Sequence, residues 1–382
     1  MVVGLQEAPS PVSSVIGIDP LCNTFCAELS KMEFVLLNSH RVSIMPGSWG
    51  LLTMLFVKRP LLCYSKNMKL SSIRTGVGGL LGNKGASIIK ATLGDLDVCF
   101  VNCHLPPHEE NNEKRLQDLN SIFSEPCMDG ETVMKYDIVV LLGDLNFRIQ
   151  TIPFDEAVKM VGDGRLKELL TFDQLLLDQI QGSPSGSQLS YFLEAAIEFQ
   201  PSYKYIPNSD TFSDGGKGRV PSWCDRVLWS MNKRLYLDVQ HPMNRVQSTR
   251  YSLCLEPKLS DHRAVSAHFV VYTDLTATPL VVFEPTSWAH GQNAVISFEV
   301  SASVDVSSWD WVALYPRQFT SVQKDYRFWS YSPAKHCTTK ATLYKIIVPA
   351  DSIPSQSGYY MLLYYSRPYS SVIGMSPLFF IQ

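Results

Sequence analysis

The character of the sequence changes once, near residue 272, and that change limits which architectures are open to the chain. Before it, short β-rich runs alternate with amphipathic segments; after it, strand-like runs follow one another with no helix of useful length between them. The early runs are Val2–Leu5, Glu33–Leu37, Leu51–Val57, Ser87–Thr92, Val98–Asn102, Asp137–Leu142, Arg226–Trp229 and Ala264–Val271. Several are continuously apolar, as strands covered on both faces are. Helical spacing occurs at Asn111–Phe123, where Leu116, Leu119, Ile122 and Phe123 share a face, at Phe154–Val161, and from Arg165 to about Ile180. These features predict a sheet-based α/β domain. The later runs (Leu280–Glu284, Ala294–Val300, Trp311–Tyr315, Leu343–Val348, Tyr359–Tyr365 and Pro377–Ile381) predict an all-β sandwich. The polar stretch Tyr272–Pro279 between them suits a linker.

Charge and cysteine usage narrow the function classes. Lys and Arg number 33 against 36 Asp and Glu, so the surface is not coated for nucleic acid or anionic membrane, although a local basic pocket fits easily. The best apolar run, Leu51–Val57, stops at Lys58-Arg59-Pro60, well short of the roughly 18 residues of a membrane span. The start shows no basic head and apolar block, so no signal peptide is expected. Nine scattered cysteines read as reduced thiols in the cytosol. Cys99 and Cys103 lie beside His104, but on a strand they share one face, which favours core packing over zinc. Trp309 and Trp311 read as sandwich core and surface, and Asp225-Arg226 includes a structural ion-pair candidate in Arg226.

Strong donors and acceptors recur at strand ends, where one cleft could collect them. Glu7 closes the first strand, His104 follows Val98–Asn102, and Asp144 and Asn146 follow Asp137–Leu142. Asp225 begins the strand after Pro221-Ser-Trp, and Asp261-His262 precedes the last strand of the large domain. Together they form a parts list for metal-assisted phosphate hydrolysis. A hard Mg²⁺ needs one or two carboxylates and keeps its other positions for water and phosphate oxygens. A second carboxylate positions or deprotonates the attacking water, and imidazolium or amide donors stabilise charge on the phosphoryl oxygens.

Two of these segments, Leu142-Gly-Asp-Leu-Asn-Phe-Arg148 and Pro221-Ser-Trp-Cys-Asp-Arg-Val-Leu228, resemble the signature motifs of inositol polyphosphate 5-phosphatases. Gly4-Leu-Gln-Glu7, Gly82-Asn-Lys-Gly85, Asn102-Cys-His-Leu-Pro-Pro-His108 and Ser260-Asp-His262 match in the same order, and the resemblance spans residues 2–273. It implies a four-layered α/β sandwich of the DNase-I-like type. By that resemblance Glu7 is a metal ligand, Asp144 positions the nucleophilic water, and Asn146 and His104 are phosphate and transition-state ligands. His262 binds phosphate with Asp225 orienting it, and Asp261 lies near the metal. Asn83 and Lys84 sit where the family contacts the inositol ring or its 1-phosphate; Tyr203, Lys204, Lys217 and Arg219 match the region that grips the 4-phosphate.

The later module, through Ser308-Trp-Asp-Trp-Val-Ala-Leu-Tyr315, Asp325-Tyr326 and Tyr364-Tyr365-Ser366, resembles the immunoglobulin-like SKICH domain of the SKIP-like and proline-rich members of the family. The domains implied are residues 1–273 and 279–382, joined by 274–278. The resemblance implies Mg²⁺-dependent removal of the 5-phosphate from phosphatidylinositol 4,5-bisphosphate and 3,4,5-trisphosphate, and from soluble inositol polyphosphates. It also implies phosphoinositide partners, protein partners through SKICH, and peripheral recruitment from the cytoplasm to plasma membrane or membrane ruffles, with no nucleic acid partner. The loop Met45–Trp49 is a candidate for acyl-chain contact. The family begins with a strand carrying Thr-Trp-Asn, whose asparagine is a second metal ligand, whereas this sequence starts inside the next strand. An open strand slot and weakened metal binding are the expectations that follow. A phosphoinositide-binding protein without turnover and a DNase-I-like nuclease are the competing readings.

Overall fold

A computed structural model describes residues 1–10, 19–43, 47–76, 84–181, 188–236, 245–274, 280–284, 286–302, 304–335 and 340–382. The α/β part carries strands β1 (Val2–Pro9), β2 (Phe34–Val42), β3 (Trp49–Lys58), β4 (Ser65–Arg74), β5 (Gly85–Leu93), β6 (Leu96–His104), β7 (Ile138–Asp144), β8 (Leu193–Glu194), β9 (Asp225–Met231), β10 (Val246–Cys254) and β11 (Ala264–Val271). Its helices are α1 (Pro20–Ser30), α2 (Asn112–Ser124), α3 (Phe154–Gly162), α4 (Leu166–Leu170), α5 (Gln174–Gln181) and α6 (Lys233–Tyr236).

Six strands form one sheet in the order β4-β5-β6-β7-β9-β8, three form a second in the order β1-β3-β2, and β10 pairs with β11 in a separate ladder. Side-chain alternation on β6 shows how the layers stack. Val101 and Cys103 point into a buried apolar cluster with Leu116, Leu119, Ile122 and Phe123 of α2, while Asn102 between them faces the second sheet. The Asn102 amide donates to the carbonyl of Leu52 (3.3 Å) and to Thr53 Oγ1 (3.1 Å), and its Oδ1 accepts from Gln6 Nε2 (2.6 Å). A buried amide that reaches from β6 of one sheet to partners on β1 and β3 of the other fixes the two sheets against each other. On the far face of the three-stranded sheet, Cys22, Cys26 and Leu29 of α1 pack on Leu52, Met54 and Phe56. The result is helix, sheet, sheet, helix. β1 pairs with β3 alone and β11 with β10 alone, so neither has a second neighbour among the described strands.

Three elements depart from the sequence pattern for physical reasons. α1 starts on Asp19, whose Oδ1 accepts from Leu21 N (3.0 Å), with Pro20 in the first turn; its apolar face is too short to stand out by periodicity. β4 is an edge strand with Lys66 and Lys69, so it lacks a buried alternation. The single helix expected from Arg165 to Ile180 is two, α4 and α5, because Asp173 Oδ1 accepts from Leu176 N (3.1 Å) and opens a new helix there. All eight described cysteines are free; Cys99 and Cys103 are fully buried in the core.

The remaining chain is all β: β12 (Val281–Phe283), β13 (Ala294–Val300), β14 (Trp311–Pro316), β15 (Phe328–Tyr331), β16 (Thr342–Val348), β17 (Gly358–Ser366), β18 (Ser371–Met375) and β19 (Phe379–Ile381). They run in the order β15-β14-β17-β18-β12-β13-β16, with β19 on β17, around a core that includes Trp288, Phe298, Leu314, Tyr364 and Ile373. This sandwich is not merely tethered. Ala313, Tyr315, Phe319, Met361 and Leu363 share one buried cluster with Val35, Leu37, Leu55 and Ile89 of the α/β part. Leu36 N donates to Thr320 O (2.9 Å), Asn67 N to Tyr369 O (2.7 Å) and Arg59 Nη2 to Phe319 O (3.2 Å) across the junction. No helix of the described residues is long and apolar enough to cross a membrane.

Candidate active site

The site is laid out by strand register. Gly85 is the Cα partner of His104, His104 of Asp144, and Asp144 of Asp225, so the adjacent ends of β5, β6, β7 and β9 carry Lys84, His104, Asp144 and Asp225 in a row. Gly143 makes this row possible. Its φ is +126°, and a Cβ there would meet the Cys103 carbonyl oxygen at 2.2 Å, so only glycine lets β7 lie this close to β6 beside Asp144.

Asp144 is buried yet surrounded by donors. Asn146 N donates to its Oδ1 (3.0 Å), Asn146 Nδ2 to its Oδ2 (2.9 Å), and His104 Nε2 lies 3.4 Å from Oδ2. Burial alone would raise its pKa; the hydrogen bond from His104 and the charges of His262 and Arg148 hold it well below the usual carboxylate range. Asn146 is itself pinned, with φ +57°, by Nδ2 donating to Leu105 O (3.0 Å) and by Arg148, whose guanidinium grips its side-chain and backbone oxygens. Lys84 Nζ lies against the same His104 nitrogen, and desolvation lowers the Lys84 pKa to about 8 against the opposing pull of Asp144 and Glu7.

Opposite them, His262 Nδ1 and Asp225 Oδ2 are 2.8 Å apart. Burial would lower the imidazole pKa, but the Asp225 carboxylate, with help from Asp144 and Asp261, lifts it to about 9. That shift favours the protonated ring, in which Nδ1–H is donated to Asp225. The Tyr203 ring lies 4.6 Å from that of His262, the Arg148 guanidinium sits 4.5 Å over its face, and its hydroxyl accepts from Arg219 Nη1 (3.1 Å). Lys204 Nζ pairs with Asp261, whose carboxyl is held low against its own burial chiefly by that lysine.

The structure thus gathers Lys84, His104, Asp144, Asn146, Asp225 and His262 into one centre. It attaches Tyr203, Lys204, Arg219 and Asp261 as a flank. Lys217 is exposed on its glycine loop, and Asn83 lies outside the described residues. Glu7 is exposed on a bulge of β1, close enough to act on the Lys84 charge, and has no hydrogen-bond or ion-pair partner among the described residues. Asp144, Asp225 and His262 place potential ligand atoms within 4.8 Å of one another. Sequence reasoning overlooked Arg148, although it is the final residue of the Leu142–Arg148 motif. Arg226 proves structural: buried, it donates to Asp173 (2.9 Å) and Glu194 (2.7 Å).

The family model described as Endonuclease/Exonuclease/phosphatase family 2 matches residues 1–268, and the SKICH domain model matches 281–381. Phosphatidylinositol 4,5-bisphosphate 5-phosphatase A of Mus musculus is 30% identical over 394 residues, covering 100% of this chain and 38% of that protein. Inositol polyphosphate 5-phosphatase K of Mus musculus is 28% identical, covering 99% of this chain and 82% of that protein. Among solved structures, the inositol polyphosphate 5-phosphatase domain of SPsynaptojanin, in complex with inositol (1,4)-bisphosphate and calcium ion, superposes with a TM-score of 0.55 at 26% identity, covering 72% of this chain and 76% of that one. The chain belongs to the endonuclease/exonuclease/phosphatase family 2, in its inositol polyphosphate 5-phosphatase branch, with a SKICH domain packed against the catalytic fold.

Proposed function

We propose that this chain removes the 5-phosphate from phosphatidylinositol 4,5-bisphosphate and 3,4,5-trisphosphate, and from soluble inositol polyphosphates, in a Mg²⁺-dependent reaction. The observation that carries the reading is a buried, ionised Asp144 facing the His262 imidazolium across one small polar centre. Asp144 accepts a hydrogen bond from a water and aligns its oxygen on phosphorus. The water oxygen bonds to phosphorus as the P–O bond to the ring oxygen breaks, one proton of the water passes to that ring oxygen, and inorganic phosphate and a free 5-hydroxyl result. His262 donates through Nε2 to a phosphoryl oxygen while Asp225 holds the ring, and Lys84 and Arg148 add fixed positive charge. Arg219 and Lys204 flank the centre as contacts for a neighbouring ring phosphate.

Glu7 is the donor suited to a hard cation, because every other carboxylate of the centre is already matched by a hydrogen-bonded cation or amide. When bound there, a divalent ion supplies neutralisation of phosphate charge. The names of the similar proteins, and the inositol (1,4)-bisphosphate in the solved SPsynaptojanin domain, support a substrate bearing a 5-phosphate. Exposed apolar side chains, Ile206, Leu255 and Leu259 on the segments flanking Lys204 and Asp261, and Trp49 at the start of β3, support contact with a lipid surface.

The test is phosphate release from dioctanoyl phosphatidylinositol 4,5-bisphosphate with Mg²⁺, beside the same lipid bearing only the 4-phosphate. Release from the first alone is expected. Release from both, or nicking of supercoiled DNA in its place, contradicts the reading; saturable lipid binding with no release assigns the chain to binding without turnover.

A further inference from the structure

The SKICH sandwich has an aromatic cleft that the phosphatase reading does not use. On β14, β15 and β17 the residues Trp311, Tyr331 and Tyr365 are direct cross-strand partners, so their side chains stand on one face of the sheet. The same face, further along, carries Ala313 and Leu363 into the junction with the α/β part. Beyond that junction it opens into a cleft of about 630 Å³, within the usual range of ligand sites. Trp309, Tyr331 and Trp329 are 64%, 49% and 45% exposed there. Trp309 is on the surface and Trp311 packs on the buried cluster of the junction, as expected of core and surface residues, and both also line the cleft.

The rings are arranged as ridges. Trp309 meets Tyr331 edge-on at 5.8 Å and 82°, and Trp329 meets Tyr331 edge-on at 5.1 Å and 89°, so slots lie between successive faces. The lining is also one-sided in hydrogen bonding. Indole N–H groups and the Arg367 guanidinium only donate, while the Gln323 amide and the hydroxyls of Tyr326, Tyr331 and Tyr365 can donate or accept, so donors are in excess. The Arg367 and Gln323 side chains have no partner among the described residues. No carboxylate among the described residues lines the cleft. The nearby acids are consumed: Asp310 accepts from Ser307 N, Tyr364 Oη and Arg367 N, and Asp325 from Thr320 and Ser321. Lys324 and Arg327 are exposed on the segment that supplies Gln323 and Tyr326, so the rim is cationic.

We propose that this cleft binds a proline-rich segment of another protein in the polyproline II conformation, carrying at least one acidic side chain. Such a segment is rigid before binding, presents flat pyrrolidine rings to aromatic slots, and offers carbonyl acceptors with few N–H groups needing partners. Its carboxylate meets Arg367 and the cationic rim. A free ammonium or quaternary ammonium group would face Arg367 with no acid to balance it.

The test is fluorescence polarisation of a labelled peptide of Pro-Pro-Glu and Pro-Pro-Leu triplets titrated with the full chain. Saturable binding is expected, weakened about tenfold or more by Trp329→Ala and by replacing the peptide prolines with alanine. Arg367→Gln is expected to weaken the Glu peptide about tenfold and to leave its Gln counterpart unchanged. The Trp329 ring is half exposed, and circular dichroism of both variants is expected to match the wild type. Absence of binding, or equal binding by alanine-substituted peptide or by both variants, overturns the proposal. So does co-sedimentation with phosphatidylcholine vesicles that Trp329→Ala abolishes while the peptide fails to saturate, which would assign the cleft to a lipid headgroup.

Discussion

Asp225 and His262 are joined through a 2.8 Å Oδ2–Nδ1 contact, and the carboxylate raises the pKa of the buried imidazole beside it. Its folded-state pKa of about 9 lies above the ordinary value of about 6.5. The stabilisation from this pair is therefore complete below pH ~6.5 and is lost as pH rises through about 9. Chemical denaturation across that window should show the wild type losing about 2–3 kcal/mol. Asp225→Asn should be less stable at pH 6 and nearly flat over the same window; an unchanged slope in Asp225→Asn would place the titration elsewhere.

Arg148 holds both oxygens of Asn146 and so aims the amide that orients Asp144. Arg148→Lys keeps the charge and loses the planar fork. A fall in kcat of about 10²-fold, with KM changed far less, is expected. Equal loss in KM would mean that Arg148 acts mainly as a substrate contact.

Arg226, one residue after Asp225, makes the contrasting case. It is buried against Asp173 and Glu194. Removing it leaves Asp173 as an uncompensated buried charge, so Arg226→Ala should cost about 3–5 kcal/mol of stability. The protein that remains folded should keep its turnover per molecule, as measured by active-fraction titration beside thermal melting.

The two domains share a buried cluster in which Phe319 packs with Val35, Leu37 and Tyr315 and lies under the Arg59 guanidinium at 5.2 Å. One cooperative thermal transition is expected for the full chain, and Phe319→Ala should lower it by about 3–5 kcal/mol. Two separate calorimetric transitions in the wild type would show that the junction contributes little.

The gathering of the candidate site residues was legible in the sequence because they sit in short contiguous motifs at strand ends, and parallel pairing of β6 with β7 then brings His104 against Asp144 without long-range information. Arg148 lay in plain view within such a motif, but its role depends on the turn at Asn146, which residue types do not announce. The domain junction was not legible at all. Leu36 meets Thr320 through backbone groups, and the apolar residues beneath it serve equally well as ordinary core in a strand pattern. Trp309 and Trp311 could be read as surface and core, but the cleft they line depends on cross-strand neighbours that sequence spacing does not show.

The central claim is that the ionised Asp144 carboxylate positions the attacking water, and Asp144→Asn tests it with the least structural change. Malachite-green measurement of phosphate released from dioctanoyl phosphatidylinositol 4,5-bisphosphate with Mg²⁺ should fall at least about 10³-fold in the variant, with circular dichroism unchanged. Release by Asp144→Asn within a few-fold of the wild type would contradict the account.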